Sequence, residues 1–530
     1  MRFASRYLTV ISIVVFAAAA VSAQSVAVPK AVPTATPTPA VAAPTPAPTP
    51  YVQTLNDLQG RIRTRLLRPE LRRGQVGIKI VSLNSGKLIF EQNSEKYFMP
   101  ASNMKNFTVA AALERLTPDF RFVTSVYAPA MPDANGVVNG DLRIFGRGDV
   151  SFSYEFNDGD LYKGLDALAD KIVQSGVKRI DGGLIADESY FTGSSIPQSW
   201  EWDDLQWYYG AEISALPLND NAVSLKVKPG PSGYPCSVQL VPANPVIRVI
   251  NSCMTSAAGT HRTLRIEKKL TQNIIEISGN LPVGNAGFDG NVTVSRPAEL
   301  FAALLKERLA LKGVTVTGPA RASNTKTQLN AVEIAKLESP PLSLIAAKTM
   351  KPSQNMYTET LLWTLGEQLR SQRSVPAPQG NGFTPDSAEL GVTAVKTFLT
   401  SIGIPEDAVI QHDGSGLSRH DLITPDAVVR LYTYMSKQSK YSQAWRDSLT
   451  IGGVDGTLRR RFVGTRASGN IRGKTGTIDQ VSALSGYVRT AGGEELVFSI
   501  IVNGVNEVRD RTGMIDEIVV NLADFNGRID

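Results

Sequence analysis

The order of helical and strand-like segments is the feature that most constrains how this chain can fold. Residues 51–67 have apolar side chains at helical spacing, and residues 76–90 form two apolar runs separated by an Asn-Ser-Gly turn, which is typical of a hairpin. Short strands with Gly and Asn-Gly turns dominate residues 122–318, and helices return after about residue 337. We therefore predict one sheet with strands from both ends of the chain, interrupted by a long strand-rich insertion.

The other elements follow from the same periodicities. A chain of 530 residues is long enough for roughly two to four domains, each with a core of its own. One helix is expected to begin near Pro100, and strands are expected at residues 481–489 and 495–503. Further helices are predicted at residues 161–175, 299–311, 342–369, 387–402, 425–437 and 513–525. The pattern is that of a mixed α/β (α+β) protein.

The first fifty residues are predicted to direct and tether the chain. Arg2 and Arg6 precede an apolar run that ends in small residues, the order typical of a secretory signal peptide, here residues 1–23. An uncleaved membrane anchor is the alternative, although the apolar run is short for a spanning helix. Residues 24–50 form a Pro/Ala/Thr-rich linker, whose composition favours extended polyproline II. We expect an exported, periplasmic protein whose linker allows peripheral association with the envelope.

Charge and cysteine content exclude several classes of function. The formal net charge of +6 is small for a chain of this length, so nucleic acid is not expected as a partner. The two cysteines are wrongly spaced for a zinc site and there is no His-Glu-x-x-His motif, so neither a metal site nor a cofactor is predicted. In an exported chain Cys236 and Cys253 are candidates for one disulfide, with two buried free thiols as the alternative.

The first of three short motifs pairs a serine with a lysine. Ser102 and Lys105 stand three residues apart at the start of the helix predicted near Pro100, which places both side chains on one helix face. A serine hydroxyl becomes an effective nucleophile when an adjacent base removes its proton, and the amine of Lys105 is within reach for that step. The same Ser-x-x-Lys spacing occurs twice more in the chain, but neither copy begins an apolar helix. The context therefore selects Ser102.

The second motif contains Ser353 and Asn355 and lies just before an apolar helix. The hydroxyl of Ser353 could relay a proton, and the amide of Asn355 could hold Lys105 or the substrate. A helix-capping serine is the alternative, because Ser-x-Asn is a common pattern.

The third motif, Lys474-Thr475-Gly476-Thr477, stands at the start of the C-terminal strands. A strand beside the nucleophile can offer backbone N–H groups to an oxyanion and a Lys/Thr pair to a substrate carboxylate. Glycine has no side chain to block the approach. A solvated strand edge is the alternative for this motif taken alone.

In this order the three motifs form the set found in penicillin-binding proteins and class A β-lactamases. Longer matching segments are Pro100-Ala101-Ser102, Gly146-Arg147-Gly148-Asp149, Trp200-Glu201-Trp202-Asp203-Asp204, Leu218-Asn219-Asp220-Asn221 and Asp413-Gly414-Ser415-Gly416-Leu417-Ser418-Arg419. With these segments the chain resembles the D-alanyl-D-alanine carboxypeptidase/endopeptidase family of low-molecular-mass penicillin-binding proteins, the type-4 or DacB group (peptidase S13). The resemblance runs from about residue 71 to residue 503.

The resemblance implies a fold, a domain order and a substrate class. The implied fold is a DD-peptidase/β-lactamase-like domain, with an antiparallel sheet flanked by helices, split by two smaller, mostly-β inserted domains. The implied boundaries are 51–121 and 336–530 for the DD-peptidase domain, 122–230 and 290–335 for inserted domain II, and 231–289 for inserted domain III. The family acts on peptidoglycan stem peptides ending in D-Ala-D-Ala or on D-alanyl cross-links. It is acylated by β-lactam antibiotics, which are covalent inhibitors.

Roles for the motif residues are implied in the same way. Ser102 would attack the carbonyl between the two D-alanines with Lys105 as base, and the backbone N–H groups of Ser102 and Thr477 would form the oxyanion hole. Ser353 would pass the proton to the departing amine. Lys474 and the threonines that flank Gly476 in sequence would hold the terminal carboxylate. Because a free lysine is almost entirely protonated at pH 7, we predict that burial and the charge of Lys474 lower the pKa of Lys105.

Two further positions concern the side chain of the substrate. Asp204 and Arg419 match family positions that hold the charged end of a diaminopimelate residue, and a carboxylate and a guanidinium suit its ammonium and carboxylate. A surface salt bridge for each is the alternative. Asp479 stands where relatives often have an uncharged polar residue, which leaves open whether diaminopimelate or lysine is preferred.

Two other functions remain open at this point. A serine β-lactamase uses the same motif set, but such enzymes are typically one compact domain without a large insertion. A catalytically silent penicillin-binding or wall-binding protein would keep the fold without turnover, although the complete motif set argues against it. Carboxypeptidase and endopeptidase preference, and oligomeric state, are not determined by the sequence.

Overall fold

A computed structural model describes residues 51–326, 331–373 and 384–529. The predicted signal peptide (1–23) and linker (24–50) lie outside these residues. The α-helices of the described chain are α1 (Leu55–Leu66), α2 (Lys105–Leu116), α3 (Lys163–Gln174), α4 (Pro297–Leu311), α5 (Leu342–Met350), α6 (Asn355–Arg373), α7 (Ser387–Ser401), α8 (Pro425–Lys437), α9 (Ser442–Ser448) and α10 (Val508–Ala523). Among the described residues, none of these helices combines the length and apolar character needed to cross a membrane.

A six-stranded antiparallel sheet joins the two ends of the chain. Its strands, in spatial order, are Leu88–Gln92, Gln75–Ser82, Glu495–Asn503, Val481–Arg489, Arg472–Ile478 and Thr450–Ile451. The N-terminal hairpin thus pairs directly with the C-terminal strands, with Ile78 opposite Ile500. This pairing confirms the prediction of one sheet built from both ends of the chain.

Helices cover both faces of this sheet because its central strands are apolar on both sides. In strand Glu495–Asn503, Phe498 and Ile500 pack in the core that contains residues of α1 and α10. Val497 and Ile501 point the other way and pack in the core that contains residues of α2, α5, α6 and α8. Alternation along a strand assigns successive residues to opposite faces, so one strand supplies two cores. Helix α2, which follows the Ser-x-x-Lys motif, is held in the second core.

The insertion carries its own sheets and its own core. A five-stranded sheet has the order Ala320–Ser323, Leu184–Asp187, Leu142–Phe145, Val123–Ala128 and Val332–Glu338. Smaller sheets contain Thr315–Val316, Arg179–Asp181 and Val137–Asn139; Phe288–Thr293, Ala222–Lys228 and Ser237–Val241; Arg248–Asn251, Ile274–Ser278 and Arg265–Lys268; and Met254–Ser256 with Asn280–Pro282. Several of these pairs are parallel, which the sequence did not predict. The core of the insertion includes α3 and α4 and is distinct from the two cores of the sheet described above.

Two predicted helices have a different form in the structure. The segment near Pro100 begins as a 3-10 turn, Ala101–Met104, and becomes an α-helix only at Lys105. The helix predicted over 342–369 is divided into α5 and α6, because Ser353 has a left-handed backbone with φ of 68°. The sequence contains a signal for this break, because residues 351–355 interrupt the apolar pattern and include Pro352, which disfavours the interior of a helix. A short pair, Val409–Ile410 with Leu422–Ile423, frames the segment 413–419.

Candidate active site

The Ser-x-x-Lys motif lies on the 3-10 turn that leads into α2. Ala101, just before the serine, has a left-handed backbone with φ of 47°, so the chain reverses sharply at the nucleophile. Lys105 is the first residue of α2, and its Nζ lies 2.9 Å from Ser102 Oγ. The spacing therefore brings the amine to the hydroxyl, although through a 3-10 turn rather than the predicted α-helix.

The amine of Lys105 is buried and fully engaged by polar atoms. Its side chain is 0% exposed, and Nζ donates to Asn355 Oδ1 at 2.6 Å and to the Ser415 carbonyl oxygen at 2.7 Å. Burial lowers the pKa of Lys105 to about 7, although nearby carboxylates, Asp413 first among them, act in the opposite direction. A lysine with this pKa is half neutral near pH 7 and can accept a proton from the neighbouring hydroxyl.

A second buried lysine holds the serine of the second motif. Lys474 is 0% exposed, and its Nζ lies 2.8 Å from Ser353 Oγ and 2.9 Å from the Thr475 carbonyl oxygen. Burial, followed by the positive charge of Lys105, holds the pKa of Lys474 well below its usual value. The two amines therefore face the same region, each bonded to one of the two motif serines. No ion pair of Lys474 is formed within residues 51–326, 331–373 and 384–529, so an anionic ligand placed there would supply a counter-charge.

Strand Arg472–Ile478 lies directly against the nucleophile turn. A Cβ at Gly476 would lie 2.5 Å from the Pro100 carbonyl oxygen and 3.2 Å from the Ser102 nitrogen, so only glycine permits this approach. The Asn103 side-chain amide donates to the Lys474 carbonyl oxygen at 3.0 Å and ties the turn to the strand. The strand that carries the third motif is thus in contact with the backbone of the first.

One cleft of about 780 Å³ brings the predicted site residues together. Its lining includes Ser102, Ser353, Asn355, Thr475, Thr477, Asp204 and Arg419. The amines of Lys105 and Lys474 reach the cleft through their bonds to the two serines. The Cys236–Cys253 pair is elsewhere: these two cysteines form a disulfide in the insertion, with their Cα atoms 5.4 Å apart.

Asp204 and Arg419 stand at the charged side of the cleft. Arg419 Nε lies 3.0 Å from Glu201 Oε1, and one of its terminal nitrogens donates to the Asp479 carbonyl oxygen at 3.2 Å. Burial, with the charges of Asp203 and Glu201, raises the pKa of Asp204 to about 6. Arg419 is therefore already paired with acidic neighbours, whereas Asp204 is a carboxylate whose charge a ligand cation would stabilise.

Three residues that the sequence did not predict, Tyr209, Thr457 and Ser415, contact predicted site residues. The Tyr209 carbonyl oxygen accepts from the Asn355 side-chain amide at 2.8 Å, and Thr457 Oγ1 accepts from the Thr475 hydroxyl at 2.7 Å. The Ser415 carbonyl is a direct partner of Lys105. Ser415 belongs to one of the segments on which the family resemblance rests, but a backbone carbonyl has no residue-specific signal of its own.

The geometry supports acyl transfer through a serine. A nucleophile, an amine base within hydrogen-bond distance, a second hydroxyl held by a second amine, and a strand edge beside the nucleophile all face one cleft. These are the components that covalent catalysis by an activated serine requires.

The chain is similar over most of its length to known D-Ala-D-Ala peptidases. The D-Ala-D-Ala carboxypeptidase 3 (S13) family model matches residues 58–524. The D-alanyl-D-alanine carboxypeptidase of Actinomadura sp. (strain R39) is 34% identical over 485 residues, which cover 89% of this chain and 86% of that protein. The crystal structure of penicillin binding protein 4 (dacB) from Haemophilus influenzae has a TM-score of 0.75 at 23% identity and covers 90% of this chain and 100% of its own. A structure of that protein complexed with a novel β-lactam has a TM-score of 0.68 at 22% identity, and the match covers 87% of this chain and 98% of that one.

Proposed function

The chain belongs to the D-Ala-D-Ala carboxypeptidase 3 (S13) family and is a serine-type DD-peptidase, and we propose that Ser102 is the residue through which it acts. The single observation that supports this assignment most strongly is the 2.9 Å contact between Ser102 Oγ and the buried amine of Lys105. The substrates proposed are peptidoglycan stem peptides that end in D-Ala-D-Ala. β-Lactam antibiotics would acylate the same serine.

Acylation begins with the transfer of the Ser102 proton to neutral Lys105. The Ser102 oxygen then bonds to the carbonyl carbon between the two D-alanines, and the carbonyl oxygen becomes an oxyanion. We assign its stabilisation to the backbone N–H groups of Ser102 and Thr477, because strand Arg472–Ile478 runs against the nucleophile turn at Gly476. Asn355 and the Ser415 carbonyl hold the lysine in line throughout.

Ser353 and Lys474 act on the leaving D-alanine, on the nitrogen side of the peptide bond that breaks. The C–N bond breaks when the departing amine receives a proton, which we assign to the Ser353 hydroxyl, with Lys105 as the ultimate donor. Lys474, together with Thr475 and Thr477, binds the terminal carboxylate of the substrate, whose charge favours the protonated form of that lysine. Once D-alanine has left, a water molecule bonds to the acyl carbon and passes a proton to Lys105. The bond between that carbon and Ser102 Oγ breaks, and Lys105 returns the proton to Oγ as the shortened peptide leaves.

The remaining assignments concern selectivity and location. We assign Asp204 and Arg419 to the charged end of a diaminopimelate-like side chain, for which Arg419 would exchange its Glu201 partner for a substrate carboxylate. The family acts on the cell wall, so the chain works outside the cytoplasm. Export to the periplasm by residues 1–23 remains part of this proposal. The separate core of the insertion supports an inserted unit, and it contains residues of both predicted inserted domains. The division of that unit into residues 122–230 with 290–335 and residues 231–289 remains part of this proposal.

Acylation by benzylpenicillin tests the assignment directly. Intact-mass analysis should show one stable adduct, and the modified peptide should contain Ser102. Ser102→Ala should abolish both the adduct and the release of D-alanine from a pentapeptide. Rapid turnover of penicillin would favour a β-lactamase, and a stable adduct without D-alanine release would favour a silent penicillin-binding protein.

A further inference from the structure

The buried carboxyl group of Glu359 has no task in the mechanism above. Glu359 lies on α6, one helical turn beyond Asn355, and its side chain is 0% exposed. Oε2 accepts a hydrogen bond from the Gly414 N–H at 2.9 Å, whereas Oε1 receives none from the described part of the chain. A buried carboxyl group is costly even with the Ser415 side chain as a further hydrogen-bonding neighbour, and the charge of Lys105 acts on this one.

The Gly414–Ser415 backbone connects this carboxyl to Lys105. Glu359 accepts from the Gly414 N–H, and the carbonyl of the following residue, Ser415, accepts from Lys105 Nζ at 2.7 Å. The turn has little freedom to move, because a Cβ at Gly416 would lie 1.8 Å from the carbonyl oxygen of the residue before the nucleophile. Displacing the Gly414 N–H would therefore displace a direct partner of the lysine.

The charges around this connection are closely coupled. Burial, followed by the charge of Asp413, raises the pKa of Glu359 to about 8, and burial lowers the pKa of Lys105 to about 7. Burial also raises the pKa of Asp421 well above its usual value. Three further titratable residues, His412, Asp386 and Glu389, line a cavity of about 330 Å³ together with Glu359. A carboxylate at Glu359 favours the charged form of Lys105, and a neutral carboxyl releases it.

We propose that Glu359 is a positioning residue that holds the base Lys105 against Ser102 through the Gly414–Ser415 backbone. The proton moves from Ser102 to Lys105 and on to the departing amine, and Glu359 makes no bond to the substrate. The inference rests on the proposed function, since it requires Lys105 to accept the Ser102 proton.

Three variants separate positioning from folding. Glu359→Gln keeps a side-chain oxygen for the Gly414 N–H but removes the ionisable group, and Glu359→Ala removes both. Glu367→Gln is the matched control, because Glu367 is a buried carboxylate on the same helix whose bonds go to Arg370 and Ser387. For each variant and the wild type, the benzylpenicillin acylation rate and the dissociation constant of the complex formed before acylation are measured between about pH 5.5 and 9.5. For each protein the midpoint of unfolding is also measured, and the acylated peptide is mapped.

The expected results differ between the two Glu359 variants. Glu359→Ala should lower the acylation rate constant about 10- to 100-fold with little change in the dissociation constant, because the lysine is misplaced while the binding groups remain. Glu359→Gln should restore the maximal rate and leave the midpoint of the acidic limb close to that of the wild type, because a carboxyl group with a pKa of about 8 is already mostly neutral near pH 7. Glu367→Gln should unfold more readily and keep both the rate and the midpoint.

Two outcomes overturn the inference. If Glu359→Ala has the wild-type rate and midpoint while folded, or loses rate only in proportion to its stability as the control does, Glu359 supports the fold alone. If the wild-type protein forms an adduct at a residue other than Ser102, the proposed function fails first and removes the premise.

Discussion

Replacing Asn355 by aspartate should change the pH at which the enzyme is acylated more than the maximal rate. Asn355 Oδ1 lies 2.6 Å from Lys105 Nζ, so Asn355→Asp places a carboxylate in contact with the buried amine. The substitution also removes the side-chain N–H that donates to the Tyr209 carbonyl oxygen. Asn355→Ala removes both side-chain hydrogen bonds without adding a charge, so an upward shift of the midpoint in Asn355→Asp alone reports the charge.

The magnitude follows from the pKa of Lys105, which burial lowers to about 7. An opposite charge within about 4–6 Å shifts a pKa by about 1–3 units toward the charged form, so the midpoint should rise to about 8–10. At pH 7 the neutral fraction of the lysine then falls from about one half to between about one tenth and one thousandth. The acylation rate at pH 7 should fall about 5- to 500-fold and recover as the pH is raised.

The assay is the second-order rate of benzylpenicillin acylation as a function of pH, followed by intact mass. The pH–rate profile of the wild type should have an acidic limb with its midpoint near pH 7. In Asn355→Asp this limb should move to higher pH. Asn355→Ala should have a lower rate at every pH, without an upward shift of the midpoint. A wild-type rate that keeps rising to about pH 10 would refute the assignment of Lys105 as the base, because an ordinary lysine titrates there. An acidic limb of Asn355→Asp whose midpoint stays near pH 7 would refute it as well.

Three further predictions concern the strand, the carboxylate site and the insertion. Gly476→Ala should lower the acylation rate about 100-fold in a folded protein, because its Cβ would lie 2.5 Å from the Pro100 carbonyl oxygen and push the strand from the nucleophile. Lys474→Ala should lower kcat/KM for a D-Ala-D-Ala peptide by about 100-fold or more, and by less for the C-terminal amide, which has no carboxylate to bind. Replacing Cys236 and Cys253 together by alanine should lower the free energy of unfolding by about 3 kcal/mol, measured with urea, and leave the acylation rate unchanged.

Each of these predictions has a contrary outcome. If the Gly476→Ala variant is acylated at the wild-type rate, the strand and the nucleophile turn need not be in contact during the reaction. Equal losses for acid and amide substrates would remove the carboxylate role of Lys474. A slower acylation rate in the cysteine variant would show that the insertion couples to the cleft.

The sequence predicted the elements whose periodicity is long and uninterrupted. Helix 425–437 and strands 481–489 and 495–503 have the predicted bounds, because apolar spacing over nine or more residues leaves little ambiguity. The predicted helix 342–369 missed the break at Ser353, although Pro352 and the polar residues around it interrupt the apolar pattern there. Parallel pairing inside the insertion escaped prediction as well, because strand patterns do not specify their partners.

The residues that carry the proposed chemistry were recognisable as types in a fixed order, but their partners were not. Ser102 and Lys105 were paired by local spacing, whereas the Ser415 and Tyr209 carbonyls belong to backbone that any residue could supply. Glu359 follows the second motif by four residues and has no signal that separates it from an ordinary helical glutamate.

By itself, then, the sequence determined which side chains are available and which of them are close along the chain. Only the tertiary structure decided that the amide of Asn355, 250 residues away, contacts Lys105, and that strand Arg472–Ile478 touches the nucleophile turn. The lowered pKa of Lys105 is likewise a tertiary property. It depends on how completely distant segments exclude water from one amine and on which charges they place around it, and neither quantity exists before the chain has folded.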